Sequence, residues 1–149
     1  MSIDLADGDK QTDSLREIIE QYPKLRIAIV HFGMVTKAGW TEQIKLARYD
    51  NVRIESGGIT WLFNSEFYPY PSAVQAILEA SQICGISKLM WGSDYPRTMT
   101  EITYKMSFDF ILKSMELTAE EKEKFLYKNA KSFYNFKHLK ECEKILNML

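Results

Sequence analysis

Three short apolar runs, each closed by a polar residue beside a backbone-turning glycine or proline, constrain this chain more than any other feature. Leu25 to Val30 is almost unbroken and ends at His31-Phe32-Gly33. Asn51 to Ser56 is closed by Gly57-Gly58, and Lys88 to Trp91 runs into Gly92-Ser93-Asp94-Tyr95-Pro96. Continuous apolar runs of this length suit strands of a parallel sheet buried on both faces. Helical segments separate them, and strands alternating with helices predict right-handed parallel β/α units.

The helical segments follow from spacing and caps. Leu15, Ile18, Ile19 and Tyr22 fall at i, i+3, i+4 and i+7, with Thr12 or Asp13 as the cap and Pro23 as the stop. A second helix is predicted over 41–49, with Ile44 and Leu46-Ala47 on its inner side. A third opens at Pro71-Ser72, where Ser72 and Gln75 form a capping-box pattern, and stops at Gly85. Its inner face is Val74, Ile77, Leu78 and Ser81. After the third strand, Tyr104, Phe108, Ile111, Leu112 and Met115 keep helical spacing. Thr118 to Glu121 is another capping box, Asn129 to Phe133 a further helical turn or two, and 139–149 a last amphipathic segment. The whole of 1–149 reads as one domain.

Composition narrows the functional classes. A formal net charge of −1, with 19 basic residues spread along the chain, gives no electrostatic reason for a nucleic-acid or membrane partner. No apolar run approaches the ~18–20 residues of a membrane span. Cys84 and Cys142 are far apart, with no metal-binding spacing, and fit a reducing compartment. A soluble cytoplasmic protein is expected. Dinucleotide and phosphate-loop glycine patterns, a zincin motif and a serine-hydrolase elbow are all absent, so those chemistries have no support.

In parallel α/β folds, reacting groups gather at the C-terminal ends of strands. Three polar residues are placed there: His31, Glu55 and Asp94. From residue type and spacing alone each has an ordinary alternative. Asp94 is open between a metal or water-orienting carboxylate and a turn cap. His31 is open between a proton shuttle or ligand and an imidazole bonded to backbone. Glu55 is open between substrate binding and a salt bridge. Trp61 lies in an aromatic stretch that lines a pocket or packs under a loop, and Arg97 pairs a substrate carboxylate or a structural one. His138, in a lysine-rich stretch, reads as surface.

Two segments together resemble one family. Pro23-Lys24-Leu25-Arg26-Ile27-Ala28-Ile29-Val30-His31-Phe32-Gly33 resembles the P-x-L-(K/R)-(apolar run)-H-x-G strand of the amidohydrolase-related metal-dependent hydrolases, which include aminocarboxymuconate semialdehyde decarboxylase. Lys88 to Pro96 resembles that family's last barrel strand, apolar-G-(S/T)-D-(Y/W)-P. Asn51 to Ser56 resembles the intervening strand, and Lys128-Asn129-Ala130-Lys131-Ser132-Phe133-Tyr134 the terminal "NA…F" helix. The resemblance covers about residues 12 to 136.

The resemblance implies an α/β fold: part of a TIM (β/α)8 barrel, with three parallel β/α units matching family strands six to eight, then C-terminal helices. A complete barrel needs ~250 residues. It implies that Asp94 binds a divalent metal, zinc foremost and manganese next, and that His31 acts beside the metal-bound water. The activity implied is C–N or C–O hydrolysis, or nonoxidative decarboxylation, of a small carboxylate substrate. The family's first-strand His-x-His and fifth-strand histidine have no counterpart here, since the chain holds only two histidines. A catalytic zinc takes three protein ligands. The reading is therefore a fragment inactive alone; the alternative is a non-catalytic binding or assembly module. Open edges of a short parallel sheet favour self-association into a homo-oligomer.

Overall fold

The apolar run from Leu25 to Val30 folds into a fully buried strand, Ile27–Ile29, at the centre of a parallel sheet. The computed structural model describes residues 1–6 and 9–137; the readings of His138, Cys142 and 139–149 lie outside these residues. The sheet has four strands in sequential order: β1 (Ser2–Ile3), β2 (Ile27–Ile29), β3 (Val52–Glu55) and β4 (Leu89–Met90). All neighbours pair parallel, with Ser2 opposite Ala28, Ala28 opposite Arg53, and Glu55 opposite Met90. A doubly wound sheet reverses its order at a switch point, whereas this one never turns back. The fold is a partial (β/α)8 barrel.

The count of three strands is corrected to four. β1 is two residues long and has no apolar run of its own, so nothing in its pattern announces a strand. Backbone pairing makes it one: Ala28 N–H donates to Met1 O at 2.8 Å and Val30 N–H to Ile3 O at 3.0 Å. The Met1 ammonium donates to Arg26 O at 2.7 Å.

Side chains alternate across the sheet. One face carries Ile27, Ile29, Val52, Ile54 and Leu89, all buried in the main core. The helices α1 (Thr12–Gln21), α2 (Trp40–Lys45), α3 (Ile59–Leu62), α4 (Pro71–Cys84) and α5 (Met106–Lys113) supply the opposing layer, including Leu15, Ile44, Ile59, Ile77 and Phe110. Each such isoleucine or leucine contributes about 1.5–3 kcal/mol by leaving water. The other face carries Ala28, Arg53, Glu55 and Met90. There Ala28 and Met90 pack on Phe133 of α7 (Asn129–Tyr134), which follows α6 (Ala119–Glu123) through a π-helical turn. Asn129 ties α7 to β4 by donating to Ile86 O and Leu89 O, both at 2.7 Å.

Several helix starts differ from the sequence pattern. Neither Thr12 nor Asp13 caps α1: Thr12 is buried inside the helix, and Asp13 pairs with Arg16 at 2.7 Å. Leu15 and Ile19 are buried, while Ile18 and Tyr22 are exposed, so the inner stripe is narrower than predicted. The Ser72–Gln75 box does not form. Tyr70 turns into the left-handed region, and the Glu66 carboxylate takes the Ser72 N–H at 2.9 Å instead. At Thr118 and Glu121 the box forms in both directions. Gly85 ends α4 at φ 86°. Ile111 is buried as predicted, but Tyr104, Leu112 and Met115 are exposed. Among the described residues, no helix is long and apolar enough to cross a membrane.

Candidate active site at the strand C-termini

Strand direction brings the five singled-out residues to one end of the sheet. His31 follows β2, Glu55 ends β3, Asp94 lies past β4, Trp61 sits on α3 just after the Gly57-Gly58 turn, and Arg97 opens a 3-10 turn after Asp94. The backbone bends sharply at two of them: His31 has φ 52° and Asp94 φ 51°. Non-glycine residues held in the left-handed region cost about 1–3 kcal/mol and cluster at functional sites.

His31 Nδ1 lies 2.9 Å from Gly57 O. A carbonyl only accepts, so Nδ1 carries a proton, and in the neutral ring Nε2 is the accepting nitrogen. That nitrogen lies 3.7 Å from Asp4 Oδ2. Pattern reading missed Asp4, which stands at the end of β1. The strand-end rule that found the other three would have found it, had β1 been visible.

Trp61 joins the rest. Its Nε1–H donates to Asp94 Oδ2 at 2.8 Å. Its ring meets that of His31 edge-on, with centroids 6.1 Å apart, and the Arg97 guanidinium carbon lies 5.3 Å from its centroid. Arg97 also donates to Thr100 Oγ1 and pairs with Glu101 at 3.4 Å, so its cation is shared with a neighbouring carboxylate. Of the remaining aromatics in the stretch, Tyr70 is core and Phe67 is exposed.

Glu55 makes no ion pair with Lys or Arg among the described residues. Its carboxylate lies where a β-carbon on Gly92 or Gly57 would stand, within 1.3 Å and 2.9 Å of Oε1 respectively. Burial pushes the Glu55 carboxyl above its ordinary range. The Gly57 backbone N–H and His31 oppose this shift, and the Asp94 charge adds to it. The arrangement offers an imidazole with a free nitrogen, two carboxylates of unlike environment and a cation stacked on an indole. Such a set can move a proton and hold an anion.

A divalent metal is a separate question. Asp94 and His31 contribute one donor each, and a catalytic zinc takes three protein ligands. Among the described residues, no group of three or more His, Cys, Asp or Glu side chains is placed to hold a metal ion. These residues alone do not fit one. An open cavity of about 540 Å³ does exist, lined by Arg26, Arg53 and Phe133 among others, but it lies at the N-terminal ends of the strands. In barrels that end serves stability rather than chemistry.

The amidohydrolase family model matches residues 11–136. An amidohydrolase from Burkholderia multivorans solved with bound zinc aligns with a TM-score of 0.70 at 17% identity, over 90% of this chain and 52% of that one. Amidohydrolase 2 from Bifidobacterium longum subsp. infantis aligns with a TM-score of 0.63 at 22% identity, over 91% and 50%. 5-Carboxyvanillate decarboxylase from Novosphingobium aromaticivorans, complexed with manganese and a nitrobenzoic acid, aligns with a TM-score of 0.53 at 21% identity, over 79% and 35%. The chain thus spans about half the length of the first two and a third of the last. No curated protein matches it.

Proposed function

This chain belongs to the amidohydrolase family, and from that premise we propose that it carries part of the active site of a hydrolase or decarboxylase acting on a small carboxylate substrate. The observation that carries the reading is the convergence of His31, Glu55, Trp61 and Asp94 at the ends of three neighbouring parallel strands. Hydrolase and decarboxylase relatives share this fold.

Each residue has a part in the proposal. Arg97, held over Trp61, binds the substrate carboxylate through its planar fork. His31 Nε2 takes a proton from the attacking water in C–N or C–O hydrolysis and returns it to the leaving nitrogen or oxygen. In decarboxylation a proton taken up from solvent at Nε2 is delivered to the carbon that carbon dioxide leaves. Asp4 stabilises the imidazolium form between the two transfers. Glu55, half-buried at the end of β3 beside Gly57 and Gly92, contributes to substrate binding. A divalent metal, zinc or manganese, would supply polarisation of the scissile group if one were bound. Asp94 contributes to it only with ligands from beyond the described residues, and no step above is routed through it. The outer edge of β1, which no strand covers among the described residues, is closed by self-association.

The test supplies zinc or manganese and follows hydrolysis of carboxylated lactones and amides, and carbon dioxide release from hydroxybenzoates, by wild type and Asp94→Asn. Turnover that falls about 10²–10⁴-fold with the circular dichroism unchanged supports the reading. Equal turnover removes Asp94 from the chemistry. No turnover on any class by the wild-type chain leaves the binding or assembly module.

A further inference from the structure

Three elements meet at the ring of Trp61, and residues far apart in sequence depend on it. Asp94 lies 33 positions away and receives the indole N–H on Oδ2 at 2.8 Å. His31 meets the ring edge-on at 67°, and Arg97 covers a face at 5.3 Å. Among the described residues, the second carboxylate oxygen of Asp94, Oδ1, has no hydrogen-bond partner.

The chain makes room for this ring by a specific device. Gly58 sits at φ +75°, and a β-carbon there would stand 2.0 Å from Trp61 Nε1 and 2.8 Å from Cδ1. Only glycine meets both demands at position 58, a left-handed backbone and an absent side chain. The indole therefore folds back over the turn that ends β3, and its N–H points across to the segment that follows β4. Asp94 itself holds φ 51°. Its side chain projects from a strained turn and needs a fixed partner to keep one orientation. Hydrogen bonds to a charged acceptor are roughly twice as strong as neutral ones and set geometry accordingly.

We propose that Trp61 is the positioning residue of this site: it holds Asp94 by Oδ2 so that Oδ1 faces the reacting group, and its ring fixes Arg97 and His31 around that carboxylate. The inference rests on the placement of Asp94 in the active site argued above. It assigns the orientation of that carboxylate to a tryptophan in the loop after β3. Phenylalanine at position 61 would keep an aromatic face toward Arg97 and His31 while losing the N–H together with the second ring of the indole.

The first test needs neither substrate nor metal. The chain has three tryptophans, and Trp91 Nε1 donates to the backbone carbonyl of Ser107 at 3.1 Å, which makes it an internal reference. In ¹H–¹⁵N spectra, Trp61→Phe identifies the Trp61 indole signal by its loss. Asp94→Asn keeps a residue that tolerates a left-handed backbone and removes the charge. It is expected to move the Trp61 indole proton upfield while the Trp91 signal stays in place. Gly58→Ala, which leaves Asp94 untouched, is expected to move the same signal. A Trp61 resonance indifferent to both changes in a folded protein overturns the proposal. The second test is kinetic: Trp61→Phe is expected to lower kcat about 10–100-fold with a smaller change in KM, the effect of a slightly misplaced group. An unchanged kcat overturns the positioning role. If the wild-type chain shows no turnover, the proposed activity fails, and the resonance test still decides the role of Trp61.

Discussion

Gly92 and Glu55 share one space: a β-carbon on Gly92 would stand 1.3 Å from Oε1 and 2.3 Å from the carboxyl carbon of Glu55. The loop after β4 thus runs directly over the carboxylate that ends β3. Gly92→Ala is expected to drive the carboxylate out of its slot and to destabilise the fold by about 1–3 kcal/mol, the usual cost of overpacking. The value should fall at the low end, because the contacted atoms end a flexible side chain. In a Glu55→Ala background the added methyl finds the slot empty, so the penalty should shrink. Urea unfolding of the two single variants and the double variant measures this, with an expected coupling of about 0.5–3 kcal/mol. Strict additivity would show that the two residues do not compete for that space.

The same slot makes stability depend on pH. Burial raises the Glu55 carboxyl above the ordinary glutamate value, near 4.3 in an unfolded chain. A raised folded-state value means that the folded chain holds this proton more tightly than the unfolded chain does. The contribution of Glu55 is therefore fully present below the unfolded value and lost as pH rises through the folded one. Glu55→Gln keeps the volume and removes the titration. Denaturant midpoints of wild type and Glu55→Gln are expected to lie closest near pH 4. As pH rises to 7, the variant should become progressively the more stable of the two. A gap that does not change with pH would mean that Glu55 is solvated.

The strand ends were legible because an apolar run that stops at a polar residue and a glycine has one physical reading in a parallel sheet. His31, Glu55 and Asp94 were placed at strand ends by that rule, and the structure puts all three at one end of the sheet. What they touch was not legible. The bond between Trp61 and Asp94 depends on a left-handed turn at Gly58 and on the neighbouring positions of β3 and β4, neither of which a local pattern encodes. β1, and Asp4 with it, escaped notice because a two-residue strand has no periodicity and exists only by pairing with β2. Ser72 has the right spacing to cap α4, yet tertiary placement gives that work to Glu66, six residues upstream.

His31 is expected to have a single neutral tautomer. Gly57 O, 2.9 Å from Nδ1, accepts only, which fixes the ring proton on Nδ1 and leaves Nε2 as the basic nitrogen facing Asp4. Multiple-bond ¹H–¹⁵N correlation distinguishes the tautomers directly. With His138 replaced by glutamine, the one remaining ring should show the Nδ1–H pattern. An Nε2–H pattern would reverse the contact with Gly57 and remove the free nitrogen that the proposed proton transfer uses. His31→Asn should retain the fold within about 1 kcal/mol, because asparagine tolerates the φ of 52° found there.

Among the described residues β1 pairs with β2 alone, so its outer edge has no strand beside it, whereas the outer edge of β4 is covered: Asn129 Nδ2 donates to Leu89 O at 2.7 Å and Trp91 N–H to Phe125 O at 2.8 Å. Unpaired parallel edges present rows of N–H and C=O groups that recruit another chain unless something covers them. In a closed barrel each strand has two neighbours, and the edges vanish. The edge of β1 is left for a partner to cover, and a second copy of the chain is always at hand at the protein's own concentration. Light scattering at micromolar concentration is therefore expected to give a mass that is a multiple of 17.4 kDa. Dilution should shift it downward, because association of this kind follows mass action. A mass of 17.4 kDa that holds across the concentration range would show that the β1 edge is also protected within one chain.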